Sequence, residues 1–368
     1  MNWRSPIATH ALRAIQRRLP YLQHRHTVED VPMRWLLCLC LLYGLISPLA
    51  ASDLYTGEVL VPDQSEAART IAMAEALKQV LVKVSGDPSA AGRASVQSAL
   101  ADPAPLIQAF YFRQDVDRSG PTPVLKLYYA ANFEPRAITR LLSASGLSQW
   151  ARERPTLMVW VASDVDGDSQ LLGEGQIAPL LRRASDRGLE VKAAPVSDEV
   201  ALADVERGAV ANLRELASRY GAPGVLAGRL YSTGSEVVGR FAYADGEREE
   251  SFEVRGADTL ATLRAAADET ANRLASRYAF AAADSAPAPV SAVIRGIRSA
   301  ADFARVHAYL SSLSVVREIK LSSAAGDSMN LDLSVAGGAE RLRQMVSLNA
   351  LLSVAGDSTD GQLVLDLQ

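Results

Sequence analysis

Both cysteines of this chain, Cys38 and Cys40, lie inside one uncharged apolar run, Trp35 to Ile46. That placement constrains everything downstream. Beyond the run there is no thiol, so no disulfide can staple the fold and no thiolate can hold a metal. Three of the four histidines, His10, His24 and His26, also precede the run, which leaves His307 alone after it. Such a chain must be held together by burial of apolar surface. Its 368 residues are 48% hydrophobic and 22% charged, a globular composition long enough for about two or three cores.

The run reads WLLCLCLLYGLI, with Arg34 before it and Ser47-Pro48-Leu49-Ala50-Ala51-Ser52 after it. A positive start, a short apolar stretch and a small-residue exit describe a secretory signal peptide over residues 33–52. A spanning helix wants about twenty apolar residues, and Pro48 interrupts this one early. Met33 stands directly before Arg34, so residues 1–32 are expected to be an upstream extension. The alternative is an uncleaved inner-membrane anchor with arginine-rich residues 1–34 kept inside. Each cysteine follows a leucine in mid-run, which argues against lipidation. Both routes deliver the chain from about Asp53 onward to the periplasm. Of 38 Lys and Arg and 42 Asp and Glu, six arginines and two acids fall in the first 52 residues; the rest carries 32 basic and 40 acidic side chains. An acidic balance of that size excludes a nucleic-acid binder held by phosphate contacts.

Three α/β units are expected beyond the signal, making an α+β or α/β multidomain chain. The first covers 53–150: a strand at Leu54–Val61, a helix capped by Asp63 and Glu66, strands at Leu106–Phe112 and Val124–Phe133, and a helix over Arg136–Leu147. The second covers 151–280. Thr156–Ala162 is continuously apolar, as a strand covered on both faces must be. Helices around Leu180 and Leu213, a three-strand meander from Gly224 to Val254 and a long helix ending near Tyr278 follow. Residues 281–289, small and proline-rich, read as a linker. The third unit, 290–368, has the order βαββαβ, which is ferredoxin-like, with Ser299 and Asp302 capping its first helix.

The chemistry the chain lacks is more definite than the chemistry it holds. His307 sits one position past core-facing Val306 on a helix and reads as a surface or structural residue, so Ser-His-Asp and Cys-His catalysis have no base. HExxH, Ser-x-x-Lys and a P-loop are absent. Asp164, Asp166 and Asp168 put three carboxylates in five residues, weak candidates for a cation site. The glycine and glutamate positions of a calcium loop are not met, so a solvated acidic turn is the simpler reading. Gly173-Glu-Gly175-Gln-Ile-Ala178 mimics a dinucleotide fingerprint but stands about ten residues past its strand, and no cofactor is expected. Trp150, Arg152 and Arg154, where two units join, are candidate interface residues or else a domain-packing hinge. No enzyme is expected, although two distant carboxylates could still converge as a cell-wall hydrolase would need.

The helix ending Leu77-Lys-Gln-Val-Leu-Val-Lys-Val-Ser-Gly-Asp87, then Trp150-Ala-Arg-Glu-Arg-Pro155 leading into Leu157-Met-Val-Trp-Val161, resembles the domain-of-unknown-function family 2066. Ala151 stands where that pattern has glycine. The family comprises exported proteins of Gram-negative bacteria without an established activity; the resemblance implies export and contributes no catalytic residue. The second unit, through the segment Arg214 to Arg229, is similar in element order to the amino-terminal domain of the translocation protein TolB and to lipoprotein activators of penicillin-binding proteins. The first unit is similar to the flagellar T-ring assembly protein. These likenesses imply a non-enzymatic periplasmic binding or scaffolding module whose partner is another envelope protein, or a flagellar or secretion accessory protein.

Overall fold

The computed structural model describes residues 54–117, 122–197, 200–246, 248–280, 286–348 and 351–368. The segment expected to be an export signal, both cysteines and residues 281–285 of the expected linker lie outside the described residues. Strand β1 (Thr56–Val61) leads into helix α1 (Glu66–Ser85), whose apolar stripe buries Leu77, Leu81 and Val84. Ser65 is the N-cap: its hydroxyl accepts from the Ala68 amide at 3.2 Å, while Asp63 accepts from the Ser65 amide at 2.8 Å. The expected Asp63–Glu66 capping box is therefore shifted, because Asp63 organises the turn before the helix. A short helix α2 (Ala94–Ala101) precedes strands β2 (Ile107–Asp117) and β3 (Val124–Phe133) and helix α3 (Pro135–Ala144). The three strands pair antiparallel in the order β1-β3-β2, and Tyr129, Phe133, Ile138 and Leu142 complete a core under α1. Gly57 is required where β1 crosses α1, since a Cβ there would stand 2.4 Å from the Ala76 carbonyl oxygen.

Strand β4 (Gln149–Trp150), expected at the end of the first unit, opens the second instead, because Trp150 is buried in the second unit's core. Next come β5 (Leu157–Ser163), β6 (Gln170–Leu171), α4 (Glu174–Asp186), β7 (Val191–Ala193), α5 (Leu202–Arg207) and α6 (Val210–Arg219). Strands β8 (Gly224–Thr233), β9 (Glu236–Asp245) and β10 (Arg248–Gly256) form the meander, and α7 (Thr259–Tyr278) returns across it. The sheet runs β10-β9-β8-β5-β6, with β7 also on β5. Every residue of β5 is buried, because Leu157, Val159 and Val161 face α4 and α7 while Met158, Trp160 and Ala162 face α5 and α6. β11 (Ala279–Phe280) pairs with β4, tying the end of this unit to its beginning.

The third unit comprises β12 (Pro287–Arg295), α8 (Ala300–Ser312), β13 (Val316–Ala325), β14 (Ser328–Ala336), α9 (Gly338–Val346), β15 (Leu352–Asp357) and β16 (Leu363–Leu367). Its sheet order is β13-β14-β12-β16-β15, with β12 parallel to β16. The order is βαββαββ, one strand more than expected. β15 escapes sequence reading because it is a short edge strand broken by a register shift at Gly356. β12 begins at Pro287, inside the expected linker; prolines are tolerated there because β16 joins β12 only from Ala292. Apolar contact runs unbroken from Leu157 of the second unit to Leu365 of the third. Among the described residues no helix is long and apolar enough to cross a membrane.

Two measurements test this fold. Gly86 ends α1 at φ 74°, and a Cβ on it would meet the Ala275 side chain at 2.2 Å. Gly86→Ala is expected to lower unfolding stability by about 2–4 kcal/mol, combining left-handed strain with overpacking; a loss under about 0.5 kcal/mol would contradict it. Arg305, the Ser299 hydroxyl and the Arg298 amide hold the Asp302 carboxyl down to about 2. A carboxyl held below its unfolded value stabilises the fold above about pH 3.8, and that contribution fades as pH falls toward 2. The difference in denaturation midpoint between the wild type and Asp302→Asn is therefore expected to close over that interval. A difference that is the same at both ends would be the contrary result.

Candidate interaction site

The residues singled out at the first junction form an internal lock. Trp150 is buried, Arg154 is partly buried, and only Arg152 is exposed. The Arg154 guanidinium lies 3.9 Å from the Trp150 ring centroid. It donates to the Lys83 carbonyl at 2.6 Å and the Gly188 carbonyl at 2.7 Å, so it serves the carboxyl ends of α1 and α4 together. Burial pulls its pKa down to about 9, which leaves it protonated at neutral pH. Arg187, 2% exposed, completes the lock. It donates to the Gly86 carbonyl at 3.1 Å, to Asp268 at 2.6 Å and to Asn272 at 2.7 Å, the latter two on α7. Nothing in the local sequence around Arg187 marked it, because its partners lie about eighty to one hundred residues away.

The acidic loop does not gather. Asp164 pairs with Arg229, while Asp166 and Asp168 are exposed. Among the described residues no three His, Cys, Asp or Glu side chains are grouped so as to hold a metal. Gly173 opens α4, and its amide donates to Gln176 at 2.9 Å. His307 is exposed on α8 against Phe303, with Ser311 at 3.4 Å.

Two carboxylates do converge beside α7. Asp245, wholly buried, and Glu250 both pair with Arg277. Glu250 also accepts from the Tyr243 hydroxyl at 3.0 Å and from Arg273 at 3.4 Å. Burial pushes the Asp245 carboxyl up, against the pull of Tyr278 and Arg277. Burial would also raise Glu250, but the Tyr243 hydroxyl, Arg277 and Arg273 outweigh it and hold it low. Both acids are engaged with protein groups, and Asp245 has no exposed surface from which to donate a proton to a substrate. A depression of about 780 Å³ adjoins this cluster, between the end of α7 and the α9–β15 side of the third unit. Arg343 within it is already paired with Asp357.

The first unit's sheet has two unlike edges. Along β1, the Gln79 side chain accepts from the Glu58 amide at 2.9 Å and donates to the Glu58 carbonyl at 2.7 Å. Lys83 donates to the Thr56 carbonyl at 3.0 Å, so helix side chains take the place of a neighbouring strand. Along β2, eleven residues long, the described residues offer no such cover: β3 lies on one side and most side chains are exposed. Phe110 is 48% and Tyr111 52% exposed. Phe110 stacks on Tyr129 at 5.6 Å and lies under Arg69 at 5.7 Å, extending the core face outward to the open edge. An uncovered edge of this length is a template for an added strand.

Residues 49–151 match a family described as Domain of unknown function (DUF8605). The match covers the first unit, with the open β2 edge and the Trp150 end of the lock. No curated protein and no solved structure matches the chain.

Removing Arg187 should uncouple the lock. Arg187→Met is expected to cost about 3 kcal/mol, since it strands the Gly86 carbonyl while Arg183 stays on Asp268 at 2.9 Å. Chemical denaturation checks this, and an unchanged midpoint would refute the assignment.

Proposed function

We propose that this is an exported cell-envelope protein of the periplasm that works by binding another envelope protein, as a scaffold and not as an enzyme. The observation that carries the reading is the contrast between the two edges of the first sheet. β1 is closed by Gln79 and Lys83, whereas β2 presents Phe110 and Tyr111 along an edge that no strand among the described residues pairs. A partner fits as an extended segment that pairs with β2 and lays apolar side chains on the Phe110 side. The apolar run before Asp53, with its small-residue exit, supports export. The third unit reads as ferredoxin-like with a further strand, β16, inserted parallel to β12 between it and β15, and the second as related in element order to the TolB amino-terminal domain. The resemblance of the first unit to family 2066 belongs to the same reading.

The competing reading, a carboxylate-dependent cell-wall hydrolase, is disfavoured by the engagement of Asp245 and Glu250 with Arg277. The experiment places a photoreactive residue at Tyr111 and, separately, at Lys78 on α1, in cells, with a peptidoglycan zymogram of the purified protein alongside. A discrete adduct from position 111 alone, with no clearing, is expected. Equal labelling at both positions, or clearing abolished by Glu250→Gln, would overturn the reading.

A further inference from the structure

Three arginines face one concavity of about 430 Å³: Arg136 and Arg140 on α3, and Arg317 at the start of β13. None of them has an ion pair or side-chain hydrogen bond among the described residues, and the same holds for Thr139 and Ser143 on the same wall. Elsewhere Arg277 is neutralised by Asp245 and Glu250 and Arg343 by Asp357, while Arg93 and Arg248 stand on other cavity walls without an ion pair among the described residues; what sets this cavity apart is that three such arginines share it. No acid is among the lining residues, and two that adjoin them, Glu134 and Glu153, are otherwise engaged. Glu134 caps α3, accepting from the Arg136 amide at 2.9 Å. Glu153 accepts from the Ser314 amide at 2.7 Å and from its hydroxyl at 2.6 Å.

Three like charges brought together without a counter-charge repel one another, and the repulsion is relieved when an anion enters. The concentration of cations stands out in a chain whose formal net charge is −4. Arginine forks match oxyanions bidentately. A carboxylate or a phosphodiester offers two free oxygens and one negative charge, whereas a phosphate monoester offers three free oxygens and about two charges, the better match to three guanidinium groups. Leu142, buried, and Phe280, partly buried, also line the cavity, so the ligand meets apolar surface as well.

We propose that this cavity is a binding site for a phosphate-bearing ligand, its phosphate held by Arg136, Arg140 and Arg317 and its apolar part resting against Phe280. The inference goes beyond the β2-edge reading and stands or falls without it. The shared chemistry is a phosphate group on an apolar body, supplied by a phospholipid headgroup or by a soluble phosphate ester.

The test uses the purified full chain at low ionic strength. Calorimetric titration with inorganic pyrophosphate probes the soluble source. Co-sedimentation with vesicles containing phosphatidic acid, whose headgroup is a phosphate monoester, against phosphatidylcholine vesicles, probes the lipid source. Binding to one of these probes is expected, weakened about tenfold or more in Arg140→Ala/Arg317→Ala and unchanged in Arg305→Ala, whose arginine pairs with Asp302. Circular dichroism checks the fold, and the single variant Arg140→Gln replaces the double variant if that unfolds. Pyrophosphate binding alone points to a soluble phosphate compound, and vesicle binding alone to a headgroup. Binding to neither probe at about millimolar concentration, or binding that the variants leave intact, would overturn the proposal.

Discussion

Two guanidinium groups, that of Arg187 buried and that of Arg154 partly buried, hold the first two units of this protein together. Arg154 and Arg187 reach across to the carbonyls that end α1, Lys83 and Gly86, and neither could be replaced by an apolar contact without leaving those carbonyls unsatisfied. Arg154 does this with no carboxylate partner at hydrogen-bond distance among the described residues. Its charge is balanced by the negative ends of α1 and α4 and by the Trp150 ring beneath it. Arg187 adds Asp268 and Asn272, so α7 is drawn into the same contact. The approach is close enough that Gly86 has no room for a side chain. A chain without thiols after its apolar run has joined its units by charge-assisted hydrogen bonds inside an apolar surround.

That lock sets what the rest of the surface can present. With α1 fixed at its carboxyl end, Gln79 and Lys83 lie along β1 and close that edge, which leaves β2 as the free side of the sheet. Farther along, Arg341 donates to the Tyr278 carbonyl at 3.0 Å and lies over the Phe280 ring, and Glu153 holds Ser314. These contacts bring the start of β13 alongside α3, which is how Arg317 comes to share a cavity with Arg136 and Arg140. Both proposed binding features thus depend on contacts among residues far apart in the chain.

Local patterns were legible wherever burial alone decided them. The unbroken apolar run at β5 announced a strand covered on both sides, and Ser299 with Asp302 announced the start of α8. Helix α2, helix α5 and strand β15 were not legible, because each is short and weakly patterned. Around the candidate sites the sequence pointed to Trp150 and Arg154 but not to what they touch. Arg187 is one arginine in an ordinary helix end, and its role rests on Gly86 and Asn272 from distant segments. The acidic triplet at Asp164–Asp168 drew notice by proximity in sequence, yet an ion pair to Arg229 takes its first member elsewhere. The unpaired arginines at α3 carry no sequence signature, since being unpaired is a property of the folded surroundings.

Native-state hydrogen exchange tests the lock most directly. If Arg154 and Arg187 couple the first two units, the slowest amides of α1 and α7 will open together, with equal opening free energies and equal response to added denaturant. Exchange of α1 at a markedly lower free energy than α7, with a separate denaturant dependence, would show that the first unit opens by itself and would contradict the account.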